Sequence, residues 1–277
     1  MKRDQIRKFQ LAQLELLSET DRICRELGIG YYLIGGTLLG AIRHQGFIPW
    51  DADIDVAMCR KDYEIFRAYC FAHENEEFFY EHYLTDPNHW GPHAILRKKG
   101  THIKYQRRDV EKYQPMYDGI YMDIFPLDEA PRSKGVQYIQ AKLIRLIYMI
   151  SEQKVARVYE NNISTWKLAR KKVVQFILSP ITFRMLGKLR DWIMQWGKNK
   201  GDGHLVSMAS HYSYKKQYML EEIYGKPVEI VFEGEKRLAP AQTNTYLSQL
   251  FGDYMKLPPE DKRYSELDNI IDVDYGE

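Results

Sequence analysis

Asp53 and Asp55 stand two residues apart in Trp50-Asp-Ala-Asp-Ile-Asp-Val56, where the apolar Ile54 and Val56 separate and follow them. Side chains alternate across a strand, so both carboxylates share one face while Ile54 and Val56 turn to the core. Like charges this close repel unless a cation lies between them. A hard divalent ion, Mg2+ or Mn2+, takes oxygen ligands and keeps some of its waters. Asp51 points the same way if the strand reaches back to it, as a third ligand or a partner just outside the ligand set. A solvated acidic loop is the alternative for so short a motif. Asp123 lies in Gly119-Ile-Tyr-Met-Asp-Ile-Phe-Pro-Leu-Asp128, between Met122 and Ile124. An acid inside an apolar strand is costly without a cation or a hydrogen-bonding partner. It either completes a metal site, accepts the proton of an attacking hydroxyl, or is a buried Asp bonded to backbone or to an Arg. Asp128, after Pro126, reads as a turn residue or a helix cap.

Gly35-Gly36-Thr37 follows a short apolar run, Tyr31 to Ile34, and precedes a helical pattern, Leu38 to His44. Glycines let the backbone approach a ligand, and a helix start offers N–H groups to a phosphate. Gly35 and Gly36 are therefore candidate phosphate contacts, and Thr37 either caps the helix or bonds a phosphate oxygen. A plain tight turn is the alternative. The Gly-Lys-Ser/Thr of a Walker loop and the spacing of a dinucleotide fingerprint are both missing. Arg43 and His44 trail this helix toward the aspartates. They either hold phosphate, the Arg bidentately, or are a surface Arg and a helix-terminal His. Trp50 stacks on a base or a cationic alcohol, or packs in the core beside Pro49.

The elements that must position these residues follow from periodicity. Residues 4–27 read as an amphipathic helix with Ile6, Phe9, Leu14, Leu17 and Leu27 near one face and Gly28 as its C-cap. Tyr31 to Ile34 and Ile54 to Met58 read as strands, with a helix over Asp62 to His73 between the second and further short strands at Phe78 to Tyr83, His93 to Arg97, His102 to Tyr105 and Tyr121 to Phe125. From Lys134 to about Lys200 the pattern is helical, broken at Ser179-Pro180. Val228 to Phe232 reads as a strand and Thr243 to Phe251 as a helix. The expectation is an α+β fold, a mixed sheet flanked by helices with a helical insertion. Three segments are expected: a catalytic core over 1–133, a basic helical subdomain over 134–205 and a closing α/β segment over 206–277.

The chain has 277 residues and a net charge of +2, which does not describe a general nucleic-acid binder. Cys24, Cys59 and Cys70 have no metal-ligand spacing, and an odd count without CxxC reads as reduced thiols in the cytoplasm. The start carries charge with no apolar run behind it, so no signal peptide is expected. The apolar stretch Leu143 to Ile150, interrupted by Arg145, is too short to span a bilayer. Between Ile163 and Lys200 nine Lys and Arg face one acid, Asp191, with Trp166, Val173, Phe176, Ile177, Phe183, Leu186, Leu189 and Trp192 among them. Such a segment lies on an anionic leaflet at the inner membrane face, holds a polyanionic acceptor, or is a subdomain whose apolar side is core.

The run Gly35-Gly-Thr-Leu-Leu-Gly-Ala-Ile-Arg-His-Gln-Gly-Phe-Ile-Pro-Trp-Asp-Ala-Asp-Ile-Asp-Val56 resembles the LicD family of nucleotidyltransferase-fold enzymes. Ile120-Tyr-Met-Asp-Ile-Phe-Pro-Leu-Asp128, Val231-Phe-Glu-Gly234 through Pro240, Tyr246-Leu and Phe251-Gly-Asp-Tyr-Met-Lys-Leu-Pro-Pro259 agree, so the resemblance covers nearly the whole chain. It implies a nucleotidyltransferase-like core, a divalent metal, and transfer of a phospho-linked alcohol to a cell-surface glycan or teichoic acid precursor. In the family the group is most often phosphocholine from CDP-choline, and phosphoribitol in fukutin-related proteins. By motif, Asp53 and Asp55 match the metal pair and Asp123 the third acid, while a comparable basic turn makes Arg97 a second phosphate ligand. Asp51 or Asp123 would take the acceptor proton. Position 52, an Asp in most members, is Ala52 here, and by alternation faces away from the site. Nucleotidyl transfer from a nucleoside triphosphate, or a catalytically inactive nucleotide- or glycan-binding module, are the competing readings.

Overall fold

The computed structural model describes residues 3–51, 53–73, 75–105, 115–155, 165–260, 263 and 270–276. Position 52 and its expected orientation lie outside them, as does the side chain of Trp166. Chain order runs α1 (Arg3–Leu27), β1 (Tyr32–Leu33), α2 (Gly35–His44), β2 (Asp55–Cys59), α3 (Arg60–Ala72), β3 (Phe78–Glu81), β4 (Ala94–Lys98), β5 (His102–Tyr105) and β6 (Tyr121–Pro131). Three helices follow, α4 (Lys134–Val155), α5 (Thr165–Leu178) and α6 (Phe183–Met194). The chain continues through β7 (Gly201–Val206), α7 (Tyr214–Gln217), β8 (Met219–Leu220), α8 (Glu221–Tyr224), β9 (Val228–Phe232), β10 (Glu235–Ala239), α9 (Thr243–Phe251) and β11 (Ile270–Asp274).

The main sheet has the order β1-β2-β6-β4-β3, with β7 on the far half of β6 and β8 on β7. Only β2 and β6 pair in parallel; the other described pairs are antiparallel. The mixed helix-and-sheet architecture is the expected one. The helical stretch, broken around Ser179-Pro180 as its sequence requires, sits between the paired strands β6 and β7 as an insertion. It gives way to β7 at Gly201, in line with a helical pattern expected to run to about Lys200.

In α1 the buried residues recur with helical period: Phe9 and Gln10, Ala12 and Gln13, Leu16 and Leu17, Thr20 and Asp21, Ile23 and Cys24. Leu14 and Leu27 lie at the margin of that stripe, partly buried, because four buried polar side chains share it. Three of those polar side chains reach the sheet or the turn that leads into it. Gln10 Nε2 donates to the Asp51 carbonyl at 2.7 Å, Gln13 Nε2 to the Tyr121 carbonyl at 2.8 Å, and Thr20 contacts the Met122 sulfur at 3.5 Å. One face of one helix thus pins both the Asp51 turn and the entry to β6. Gly28 ends α1 at φ +64°, as its glycine suggests.

Asp128 departs from the sequence expectation. It is neither a turn residue nor a cap but a buried member of β6, which runs on through Pro126 to Pro131. Arg60 at the start of α3 explains its position. The guanidinium donates bidentately to the Asp128 carboxylate at 2.7 and 2.6 Å and reaches Asp191 of α6 at 3.3 Å. This ion cluster ties the insertion to the sheet. Among the described residues, no helix is long and apolar enough to cross a membrane.

Candidate active site

The parallel pairing of β2 with β6 sets Asp55 directly opposite Asp123. Val56 and Ile124, the next pair, are fully buried on the other face, so alternation turns both acids to the same side. Asp53 is not on the strand, which starts at Asp55, but in the turn leading into it. Its carboxylate still converges. Asp53, Asp55 and Asp123 each offer an oxygen within 4.8 Å of the other two, and all are half-buried. The Asp123 backbone N–H is anchored on the Ile54 carbonyl at 2.9 Å. Asp123 Oδ1 is buried with no hydrogen-bond partner among the described residues, and Oδ2 lies 3.2 Å from His93 Nε2. Three carboxylates brought this close, one with an oxygen that is buried and unsatisfied among the described residues, fit a divalent cation of the Mg2+ or Mn2+ kind.

The glycine turn stands against these acids. Gly35 has φ +54°, and a Cβ on it would lie 3.1 Å from Asp55 Oδ2; a Cβ on Gly36 would lie 2.9 Å from Asp51 Oδ2. The helix α2 therefore starts at Gly35, three residues earlier than expected, because bare glycines let its first turn sit on the carboxylates. The Gly35 N–H donates to the Tyr246 hydroxyl at 3.3 Å. Thr37 is buried, and its hydroxyl bridges the acidic turn, donating to the Asp53 carbonyl at 3.2 Å and accepting from the Asp55 N–H at 2.8 Å. Its hydroxyl is thus committed to holding the two aspartates in register and not turned out to a ligand.

Arg43 and His44, at the far end of α2, form a second cluster beside Trp50. Arg43 Nε donates to His44 Nε2 at 3.0 Å, and its terminal nitrogen donates to the Tyr254 carbonyl at 3.2 Å. Accepting that bond makes His44 the neutral tautomer, consistent with burial and the Arg43 charge lowering its pKa. Burial and the neighbouring Arg263 lower the Arg43 pKa, and among the described residues it forms no ion pair. The Trp50 ring meets His44 edge-on at 6.2 Å and carries the Arg263 guanidinium 5.1 Å from its centroid. Since Trp50 adjoins Asp51, this cationic cluster borders the acidic turn.

Arg97 is engaged elsewhere. On β4 it pairs with buried Glu81 of β3 and donates to the Gly119 carbonyl at 3.1 Å. Glu81 also takes His89 Nδ1 at 2.7 Å, and His89 Nε2 bonds the His93 carbonyl at 2.8 Å. Burial alone would raise the Glu81 pKa; the His89 hydrogen bond and the Arg97 charge outweigh it and hold the carboxyl well below its ordinary range. The network braces the strand end from which His93 projects. Arg97 is therefore a brace of the site wall, in place of the phosphate contact expected from the sequence.

Three site residues were not singled out from sequence. His93 stands beside Asp123 because β4 pairs with β6 with Ile95 opposite Asp123, and its ring packs on Phe125 with centroids 4.4 Å apart. Tyr212 lies near the acids; burial and then the charges of Asp55 and Asp51 push its phenol up to about 12. Tyr246 reaches Gly35 from α9. His93 was visible as the first residue of an expected strand, but only the register with β6 gives it a neighbour. Tyr212 and Tyr246 are two among 21 tyrosines, and no local pattern marks them.

The mixed sheet thus gathers three carboxylates where two parallel strands begin, with a Gly-Gly helix start pressed on them, and this defines the chain as a mixed-sheet domain with an acidic cluster at one end of its parallel pair. The family model described as "LicD/FKTN/FKRP, nucleotidyltransferase domain" matches residues 28–142, which carry every one of these acids. Lipopolysaccharide cholinephosphotransferase LicD of Haemophilus influenzae is 31% identical over 265 residues, 94% of this chain and 95% of that protein. Ribitol 5-phosphate transferase FKRP of Homo sapiens is 43% identical over 53 residues, 18% of this chain and 11% of that protein. The chain belongs to the LicD family.

Proposed function

We propose that this protein transfers a phospho-alcohol group, with phosphocholine from CDP-choline as the leading donor, to a cell-surface glycan or teichoic acid precursor, working from the cytoplasm. The observation that carries the reading is the convergence of Asp53, Asp55 and Asp123 within 4.8 Å in a chain similar along nearly its whole length to a cholinephosphotransferase. A nucleotidyltransferase-like architecture for the sheet is part of the proposal.

Asp53, Asp55 and Asp123 would hold a divalent ion, Mg2+ or Mn2+, which when bound neutralises phosphate charge on the donor. Arg43, a cation without an ion pair among the described residues, holds a donor phosphate, with neutral His44 fixing the plane of its guanidinium. Gly35 and Gly36 leave room for the donor against the first turn of α2. Asp51, whose carboxylate lies over Gly36, takes the proton of the acceptor hydroxyl. That oxygen forms a bond to the phosphorus bearing the alcohol, the bond from this phosphorus to the bridging oxygen breaks, and CMP leaves with that oxygen. Positioning and charge neutralisation, rather than covalent catalysis, supply the acceleration.

The test is a panel of CDP-choline, CDP-ribitol and CDP-glycerol incubated with a glycan acceptor and scored for CMP, with Mg2+ and with EDTA. CMP release with one of them in Mg2+, and a loss of roughly 10²–10³-fold or more in Asp55→Asn, supports the reading. Pyrophosphate release from a nucleoside triphosphate would assign nucleotidyl transfer instead, and no turnover with any donor would leave a binding module.

A further inference from the structure

The insertion between β6 and β7 turns apolar side chains outward on all three of its helices. On α6, Met185, Leu189 and Trp192 recur at helical spacing on the side opposite buried Phe183, Leu186 and Ile193, and Trp192 is 62% exposed. On α5, Val173, Phe176 and Ile177 do the same, with Phe176 79% exposed. On α4, Tyr138, Ile139, Leu146 and Met149 lie opposite buried Gln140, Ile144 and Ile147. The sequence list of apolar residues thus divides: Phe183 and Leu186 are core, whereas Val173, Phe176, Ile177, Leu189 and Trp192 are left facing solvent. Solvated faces of this size are unusual for a helical subdomain that serves only to pack.

Charge identifies what such a surface fits. Exposed cations interleave with the apolar residues: Lys142 and Arg145 on α4, Arg170 and Lys172 on α5, Arg184 and Lys188 on α6. Asp191, the one acid between residues 163 and 200, is turned inward to Arg60, Arg67 and Tyr83. We propose that these three helices dock the protein on an anionic lipid surface, apolar side chains entering the headgroup boundary and the cations meeting lipid phosphates. A second copy of the chain is the poorer occupant, because it would bring two faces of the same positive sign together. No described helix can cross a bilayer, so the mode is attachment in the plane of the surface. The inference stands on exposure and charge and does not depend on which donor the site accepts.

Vesicle flotation with the full chain tests it, comparing phosphatidylglycerol-containing vesicles with pure phosphatidylcholine. Binding to the anionic vesicles should be at least about tenfold stronger, and should weaken as salt rises from about 0.05 to about 0.5 M. Phe176→Ser with Trp192→Ser, and separately Arg184→Glu with Lys188→Glu, should each weaken it by about tenfold while leaving the melting temperature in solution unchanged, since all four side chains are exposed. Three results would overturn the proposal. One is no binding to anionic vesicles at low salt. Another is equal binding to neutral vesicles. The last is a dimer by sedimentation that the Phe176→Ser, Trp192→Ser variant abolishes.

Discussion

Asp123 meets His93 through one oxygen and keeps the other buried without a hydrogen bond among the described residues, in a cluster where two further carboxylates approach within 4.8 Å. Without a cation this arrangement is repulsive, which makes a stability prediction separate from catalysis. In EDTA, Asp53→Asn should melt above the wild type, because one of three like charges is gone. With millimolar Mg2+ the order should reverse, since the ion stabilises only the form that binds it. Thermal melts under both conditions decide this, and a wild type indifferent to Mg2+ would count against the metal assignment. His93 carries a second prediction. By fixing one oxygen of Asp123 it orients the other toward the cluster, so His93→Phe should weaken Mg2+ binding about 10–100-fold. His93→Gln, which keeps a donor, should lose less, as read by calorimetric titration of the apo protein.

At the scale of elements, the acidic turn is held from outside. Gln10 and Gln13 of α1 grip the Asp51 turn and β6, Thr37 ties Asp53 to Asp55, and the β9–β10 hairpin closes on the segment after α2. At that hairpin Glu233 accepts the Phe47 N–H at 3.0 Å and pairs with Arg7 at 2.6 Å. A Cβ on Gly46 would overlap the Glu233 carboxylate. Since that carboxylate is held on both sides, Gly46→Ala should cost about 1–3 kcal/mol in urea unfolding. The cost should shrink in a Glu233→Ala background, because the two side chains share one space.

Much of this was legible beforehand. Alternation alone turns Asp123 to the opposite face from Met122 and Ile124, and the Gly-Gly turn before a helix is a local signal. The strands around Ile54 to Met58 and Val228 to Phe232 were also readable from their apolar residues, and His102 to Tyr105 from its alternation. What escaped depends on partners distant in sequence. Asp128 looked like a turn residue because Pro126 precedes it, yet the proline is accommodated within β6 and Arg60 satisfies the acid. Arg97 could be placed in a basic turn but not paired with Glu81, since that requires the register of β3 on β4. β7, β8, β10 and β11 are short or polar, and their pairing with other strands, rather than their own pattern, makes them strands.

Across the whole molecule, a buried pair next to the site adds to the loss of stability on the acid side. His82 is buried, and that burial, followed by the charges of His89 and Arg67, lowers its pKa from 6.5 to about 2. The folded protein therefore keeps His82 neutral while the unfolded chain protonates it below about pH 6.5, so stability falls as pH drops through that range. Glu81 stays ionised when folded, against an ordinary value of 4.5, and adds a loss of the same sign below that pH. Each group contributes up to about 1.4 kcal/mol per pH unit within its window. Urea melts between pH 7.5 and 4 should show a decline that begins near 6.5 and steepens below 4.5. His82→Asn should flatten the first part only; an unaltered slope would assign that decline to another group.

The central place of β6 has a consequence for how the chain comes to be active. β2 and β4 both precede it, and β6 must slide between them before Asp123 stands opposite Asp55. During synthesis, a chain that has emerged only as far as β5 carries two of the three acids and lacks Asp123, the acid that His93 meets. If the three acids hold a cation as proposed, its capture would be tied to a late, long-range event of assembly, since contacts between segments far apart in sequence form slowly. The ion would select finished molecules over partly assembled ones, and refolding followed by Mg2+ uptake should lag behind the recovery of helix signal.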